Sequence, residues 1–457
     1  MRDGTARQNA ILTASTVTSE EEDNGRLRKA IKLRHAVALY VSSVLGSGVL
    51  VLPGLAAKLA GPASLVAWII LSLASYPFAY TFASLSSRDP QSGGIYRFAK
   101  ESFGLPMAAV TGWLFAFWYI TGGPAVTLIA ASYLSFAFPM SKLGIFFVAG
   151  SVMVLAFAIN YRGIVLSNKV QLAVVVTIVG LLVAAVGFSV ETMRWQNFLP
   201  FAPHGLLPIG TAAALIFWSF LGYENVSNVA EEFENPKRDF HRSILLSVIL
   251  VSGLYVAIAT VTVGTFAYEA GGSVAPFAAI FANVLGSHGA VGTALLAVII
   301  IFATVNAYTG GMSRVILAVA TDGGLPRGLQ HIDPRNGAPT RSLVMLSGLS
   351  LCMLTLYYFL DVNLQTALLI PSGSAVLVYI VGSAAGVRLL KERGFKRSMP
   401  WISLAMSFIV LPFVGTLAFV SIGAALVAFL YVGIKRRLAS QGVRTHSSMN
   451  EGIAGKM

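Results

Sequence analysis

Two stretches of the chain place small and polar residues inside runs that are otherwise apolar. The first reads Ser43-Val44-Leu45-Gly46-Ser47-Gly48 and leads into Val49-Leu50-Val51-Leu52-Pro53-Gly54; the second reads Phe217-Trp218-Ser219-Phe220-Leu221-Gly222-Tyr223-Glu224-Asn225. Glycine is a poor helix former, so each stretch marks a point where a helix is expected to open and release backbone groups. At Gly46, Ser47 and Gly48 the freed N–H groups lie at the start of the following half-helix, where aligned dipoles favour an anion such as a carboxylate. Freed carbonyls near Trp218, Phe220 and Leu221 suit an ammonium. An anion nest facing a ring of carbonyls fits the two charged groups of an α-amino acid. For either stretch alone a glycine kink for close packing is the competing reading; the pair, five spans apart, weighs against it.

Glu224 is the one acidic residue inside any of the spans assigned below. A charged carboxylate deep in hydrocarbon costs about 2.5 to 3.5 kcal/mol on insertion scales. It is therefore expected to be neutral when dry and to ionise when water arrives, a difference that would couple protons to a change of access. The alternative is a glutamate held protonated throughout, clamping the broken helix. Trp113, Phe117, Trp118 and Tyr119 could line an apolar side-chain pocket, although aromatic residues in membrane helices more often pack or anchor at interfaces. Tyr119, Asn306 and Tyr308 are kept as candidate pocket residues, with an interhelical hydrogen bond an equally good use of the last two. The single cysteine, Cys352, reads as a buried small hydrophobe. No histidine falls in the middle of a span and no GxxxxGK[ST] loop occurs, so neither a metal, a cofactor nor nucleotide drive is expected.

The elements that must position these groups are membrane spans. Hydrophobic residues make up 56% of the 457 and charged residues 11%, whereas a soluble domain carries about 25% charged residues. Apolar runs near residues 35–60, 63–87, 105–137, 143–160, 168–190, 208–230, 243–267, 288–320, 342–360, 365–387, 399–416 and 417–434 predict about twelve transmembrane helices in a lipid bilayer. The net charge of +13 raises nucleic acid as a partner, and its placement argues against one. With both termini cytoplasmic, 29 of the 32 Lys and Arg fall on the cytoplasmic side and only Lys58, Lys142 and Arg194 opposite, as the positive-inside rule requires. Residues 1–34 are too polar to fold alone and are expected to be a disordered cytoplasmic tail; residues 435–457 form a second one. The first apolar run begins too late and is too long for a cleaved signal peptide.

Four motifs now stand in order: Gly46 to Pro53, Pro90-Gln91-Ser92-Gly93-Gly94-Ile95-Tyr96, Phe217 to Asn225, and Glu231-Glu232-Phe233-Glu234-Asn235-Pro236-Lys237-Arg238-Asp239-Phe240. Together, over about residues 35 to 435, they resemble the amino acid-polyamine-organocation (APC) superfamily. The sixth-span region and Asn306-Ala307-Tyr308 are most similar to bacterial exporters of methionine and branched-chain amino acids. The resemblance implies an all-α membrane protein of the LeuT-like/APC fold, with a five-plus-five inverted repeat over 35–190 and 208–388 and two extra C-terminal helices over 398–434. It further implies that Val44, Gly46, Ser47, Gly48, Trp218, Phe220 and Leu221 bind the substrate, that Trp218 is an aromatic gate and that Glu224 senses protons. One departure is that Lys169 sits at the start of the fifth span, whose interior, Leu172 to Phe188, holds no charge. A lysine that stands in for sodium is thus not expected. The functional expectation is a secondary transporter of neutral L-amino acids in the cytoplasmic (inner) membrane, with export or exchange favoured, proton coupling through Glu224, and a homo-oligomer left open. An uptake permease and a non-transporting sensor of the same fold are the alternatives, the sensor lacking room for an output domain in either tail. An enzyme is not expected, because Glu224 has no second ionisable group within the spans.

Overall fold

The structure, a computed structural model, describes residues 33–88, 94–163, 168–224, 236–269, 272–335 and 337–435. Residues 1–32 and 436–457 of the expected tails, residues 90–93 of the second motif, Asn225 and residues 231–235 of the fourth lie outside the described residues; Leu33 and Arg34, expected in the first tail, begin a helix, and Lys435, expected in the second, ends one. Helices account for the architecture, and no strand occurs among the described residues. In chain order they are α1 (Leu33–Val44), α2 (Gly48–Ala60), α3 (Ser64–Arg88), α4 (Gly94–Phe103), α5 (Leu105–Ala137), α6 (Lys142–Tyr161) and α7 (Asn168–Ser189). Then follow α8 (Leu207–Ile216), α9 (Pro236–Gly264), α10 (Pro276–Thr321), α11 (Thr340–Phe359), α12 (Leu364–Leu389), α13 (Ser398–Val410) and α14 (418–435). Nine helical stretches among the described residues are long and apolar enough to cross a membrane; two of them, Gly48–Arg88 and Gly394–Lys435, run through more than one helix.

The 33-residue α5 is the central post, with α10, α12, α6, α4 and α11 packed along it. Its sequence is apolar all round, as befits a helix enclosed by protein. Peripheral helices α6 and α7 turn side chains such as Leu143, Phe147, Leu155 and Val176 outward, where lipid would meet them. Side-chain caps start two helices: Gly144 N–H donates to Ser141 Oγ at 3.2 Å and Thr366 N–H to Asn363 Oδ1 at 2.9 Å. Gly382 and Gly386, the small residues four apart on α12, admit side chains of α3, since a Cβ on them would lie 2.5 Å from Phe82 and 2.5 Å from Thr81 respectively.

The apolar part of the seventh span starts at His241, close to the expected 243, on a helix whose charged first turns reach back to Pro236. Two expectations change. The eighth span reaches back to Pro276, with Gly286 at φ 63° joining two helical pieces. Gly286-Ser287-His288-Gly289 reads as a loop, and so hides the piece before it. Cys352 is exposed on the outer face of α11 and is not buried. At the end where α10 stops, Tyr96 Oη and Lys100 Nζ of α4 both bond Asp322 Oδ2, at 2.7 and 2.8 Å, and Lys435 Nζ donates to Gly323 O at 2.7 Å. Burial pushes the Asp322 carboxyl up, but the Lys100 and Tyr96 hydrogen bonds outweigh it and hold it below its ordinary range.

Candidate functional site

Helix α1 ends at Val44 and α2 starts at Gly48, so the first span is broken where the glycines fall. Between them Gly46 N–H turns back to Val44 O at 2.7 Å, and Leu50 N–H reaches Ser47 O at 3.2 Å. Ser47 occupies the N-cap of α2 without making a side-chain cap, which leaves the first amides of that helix open to an anion. In the sixth span α8 tightens into a 3-10 turn over Phe217–Phe220, Leu221 is extended, and Gly222 takes φ 127°. That angle is strained for any residue with a Cβ, so Gly222 is what stops the helix there.

The two breaks face each other. A Cβ added to Gly48 would lie 2.6 Å from Ser219 Oγ and 3.1 Å from Ser219 Cα. Beside this contact is a cavity with about 50 Å³ of room for the centre of a water-sized sphere. Val44, Gly46, Ser47 and Gly48 form one wall and Trp218 and Leu221 the second; Trp118, Tyr119, Gly122, Gly123 and Val126 of α5 and Thr304, Val305, Tyr308 and Met312 of α10 complete it. No charged side chain belongs to this lining. Trp218 leans over Gly122, where a Cβ would sit 2.7 Å from its ring, and meets Trp118 edge to face with centroids 6.0 Å apart. The Tyr119 hydroxyl is hydrogen-bonded to Thr309 Oγ1, which fixes the phenol at the cavity edge.

Three candidates stand elsewhere. Phe220 is buried behind the break against Trp68 and Tyr255. Asn306 turns away to α6, accepting from Asn160 Nδ2 at 2.8 Å on its Oδ1 and at 3.1 Å on its backbone O. Glu224 lies past Gly222, fully enclosed, with Oε2 accepting from Tyr379 Oη at 2.5 Å and from Gly222 N–H at 2.8 Å. Its Oε1 has no hydrogen-bond partner among the described residues. Of the aromatic cluster in the third span, Trp118 and Tyr119 reach the cavity. Trp113 instead donates to Gly324 O at 3.0 Å.

Sequence reasoning passed over the tyrosines that serve the breaks. Tyr133 Oη donates to Leu50 O at 2.5 Å, Tyr255 Oη lies 2.7 Å from Val44 O and 2.9 Å from Ser219 O, and Tyr379 holds Glu224. Phe78, Phe82 and Phe217 pack edge-on around the Tyr379 ring and fix its direction. The available signal was a lone hydroxyl-bearing ring deep in an apolar run, which needs a partner when buried.

Comparison with known proteins agrees with this geometry. Residues 31–450 match the family model described as amino acid permease. The chain is 33% identical to the uncharacterized amino acid permease YecA of Bacillus subtilis (strain 168), over 80% of this chain and 87% of that protein. It is 29% identical to the L-methionine/branched-chain amino acid exporter YjeH of Escherichia coli (strain K12), over 80% and 88%. With the branched-chain amino acid permease BcaP of Bacillus subtilis (strain 168) it shares 26% over 74% and 76%. A match across nearly the whole chain, together with a broken-helix cavity enclosed by apolar spans, is sufficient: this chain belongs to the amino acid permease family of membrane transporters.

Proposed function

We propose that the protein is a secondary transporter of neutral L-amino acids in the bacterial cytoplasmic membrane, working by export or exchange, with Glu224 coupling transport to protons. The observation that carries this reading is the apposition of the two breaks at an apolar and aromatic cavity without a charged side chain. Carboxylate binding is assigned to the open amides at the start of α2, and ammonium binding to carbonyls of Val44, Trp218 and Leu221. A charged side chain on the substrate would find no partner in such a lining. Leucine, isoleucine, valine and methionine are therefore the cargo class, in keeping with the substrates for which the exporter and permease relatives are named.

The reading places twelve crossings with both termini cytoplasmic, a five-plus-five inverted repeat over 35–190 and 208–388, and two further helices over 398–434. Trp218 closes the cavity toward α5, and alternating access rocks one group of helices against the other. Glu224 supports the proton role through its two oxygens: Oε2 is engaged by Tyr379 and Gly222 while the buried Oε1 can carry a proton without disturbing either bond. The test is flux in both directions in reconstituted vesicles, with labelled amino acids at imposed pH gradients. Saturable leucine or methionine flux, indifferent to lysine and aspartate and driven by a pH gradient, is expected. Competition by lysine alone would overturn the neutral specificity, and binding without flux would favour the sensor.

A further inference from the structure

Tyr255 of α9 presents one hydroxyl to both breaks. Its Oη lies 2.7 Å from Val44 O, where α1 ends, and 2.9 Å from Ser219 O, in the turn after α8. A phenol has a single proton to donate, so the two carbonyls share one donor. The ring cannot follow that proton. Trp68 and Phe220 pack against it at 5.3 and 5.2 Å between centroids, and the residue has no exposed surface. Rotation about the Cζ–Oη bond remains, and it redirects the hydrogen bond without moving a heavy atom. The two acceptors differ in one respect: Val44 lines the cavity and Ser219 does not. Val44 O also accepts the Gly46 N–H at 2.7 Å, so with Tyr255 engaged both of its lone pairs are occupied.

We propose that Tyr255 is a positioning residue that yields the Val44 carbonyl to the substrate's ammonium and turns its hydroxyl to the Ser219 carbonyl. The inference rests on the reading of the cavity as an amino acid site. An ammonium arriving at Val44 O must displace one of its two donors. The Gly46 amide is held by the turn, whereas the Tyr255 hydroxyl has a second acceptor 0.2 Å farther off than the first. The exchange leaves neither the Tyr255 hydroxyl nor the two carbonyls without a partner. It also moves the Tyr255 tie from the first-span break to the sixth, so that occupancy by an amine alters which half-helix α9 holds. Removing the hydroxyl leaves Val44 O one donor short in the empty site and gives the ammonium no competitor.

The test compares leucine with 4-methylpentanoate, which has the same carboxylate and side chain and no donor on the α-carbon, by equilibrium binding to purified full-length protein. In Tyr255→Phe the ratio of the two affinities is expected to shift toward leucine by about tenfold, the scale for a buried carbonyl that gains its missing partner. A purely structural role would weaken both ligands together and leave the ratio unchanged, which would overturn the proposal. Should Tyr255→Phe fail to fold, 3-fluorotyrosine at position 255 serves instead, read by fluorine NMR. Its resonance is expected to move on saturation with leucine and to stay put with 4-methylpentanoate. No movement on leucine binding, or the same movement with both ligands, would overturn the proposal. A wild type that binds leucine while these readouts fail refutes the exchange alone; a wild type that binds no amino acid refutes the transport reading beneath it.

Discussion

Gly48→Ala adds one methyl at the point where the two breaks touch. Its Cβ would sit 2.6 Å from Ser219 Oγ, 3.1 Å from Ser219 Cα and 3.3 Å from Leu52 Cδ1. The hydroxyl can rotate away, but the Cα belongs to the backbone of the 3-10 turn and can withdraw only if the two breaks separate by a few tenths of an ångström. Overpacking of this kind costs about 1–3 kcal/mol, set against a gain of about 0.5–1 kcal/mol for replacing a helical glycine by alanine. Net destabilisation of the fold is thus modest, about 0–2.5 kcal/mol. A ligand that must reach both breaks loses about one charge-assisted hydrogen bond, worth about 1.5–3 kcal/mol. Leucine affinity should fall about tenfold to a hundredfold, read as Kd on detergent-purified protein. Gly150→Ala is the control, since its Cβ meets only Leu354 Cδ2, at an ordinary 3.6 Å. Adding Ser219→Gly to Gly48→Ala removes the nearest clash and should restore part of the affinity. An unchanged Kd in Gly48→Ala would show that the contact between the breaks does not set the ligand's span, and the reasoning from apposition would fall.

Three further outcomes are expected. Glu224→Gln keeps an oxygen for Tyr379 and Gly222 but cannot titrate, so leucine exchange should persist while the response of flux to a pH gradient falls to within about twofold of none; a wild-type pH profile would remove the proton role. Gly122→Ala should drive the Trp218 ring, 2.7 Å from the new Cβ, into the cavity and weaken methionine and leucine alike, with little change in melting temperature. Asp322, held below the ordinary carboxylate range, stabilises the fold above about pH 4 and loses that contribution as pH falls through its lowered value. The melting-temperature gap between wild type and Asp322→Asn should accordingly be constant from neutral pH to about pH 5 and close below pH 4; a gap independent of pH would mean that Lys100 and Tyr96 do not act through the charge.

Both helix breaks were legible in the sequence because Gly46, Ser47, Gly48 and Gly222 interrupt runs whose other residues favour continuous helix. The direction of individual side chains was not. A span such as α5 is apolar on every face, so periodicity cannot tell Trp118 and Tyr119, which reach the cavity, from Trp113, which bonds the Gly324 carbonyl. Asn306 posed the same problem: polar inside lipid, it was bound to seek a partner, and only the packing of α6 decided for Asn160. The tyrosines at 133, 255 and 379 look in sequence like interface anchors. Their role emerges once distant helices are brought to the breaks, 83 residues apart for Tyr133 and Leu50 and 211 for Tyr255 and Val44.

The breaks are satisfied unevenly, and that unevenness bears on how an amino acid would be held. A bare carbonyl or amide in hydrocarbon costs several kcal/mol. Neighbouring helices answer part of the need: Tyr133 donates to Leu50 O in the first turn of α2, and Tyr255 offers one proton shared between Val44 O and Ser219 O. The Leu221 N–H turns to Trp218 O at 3.3 Å. On the amide side, Gly222 N–H is met by Glu224, while the start of α2 has no side-chain cap. On the proposed assignment a carboxylate would enter a place where amides await an acceptor, whereas an ammonium would have to displace a donor to reach Val44. On that assignment the difference would make the carboxylate the anchor and the ammonium the discriminating group, with the Tyr255 hydroxyl as the point of discrimination.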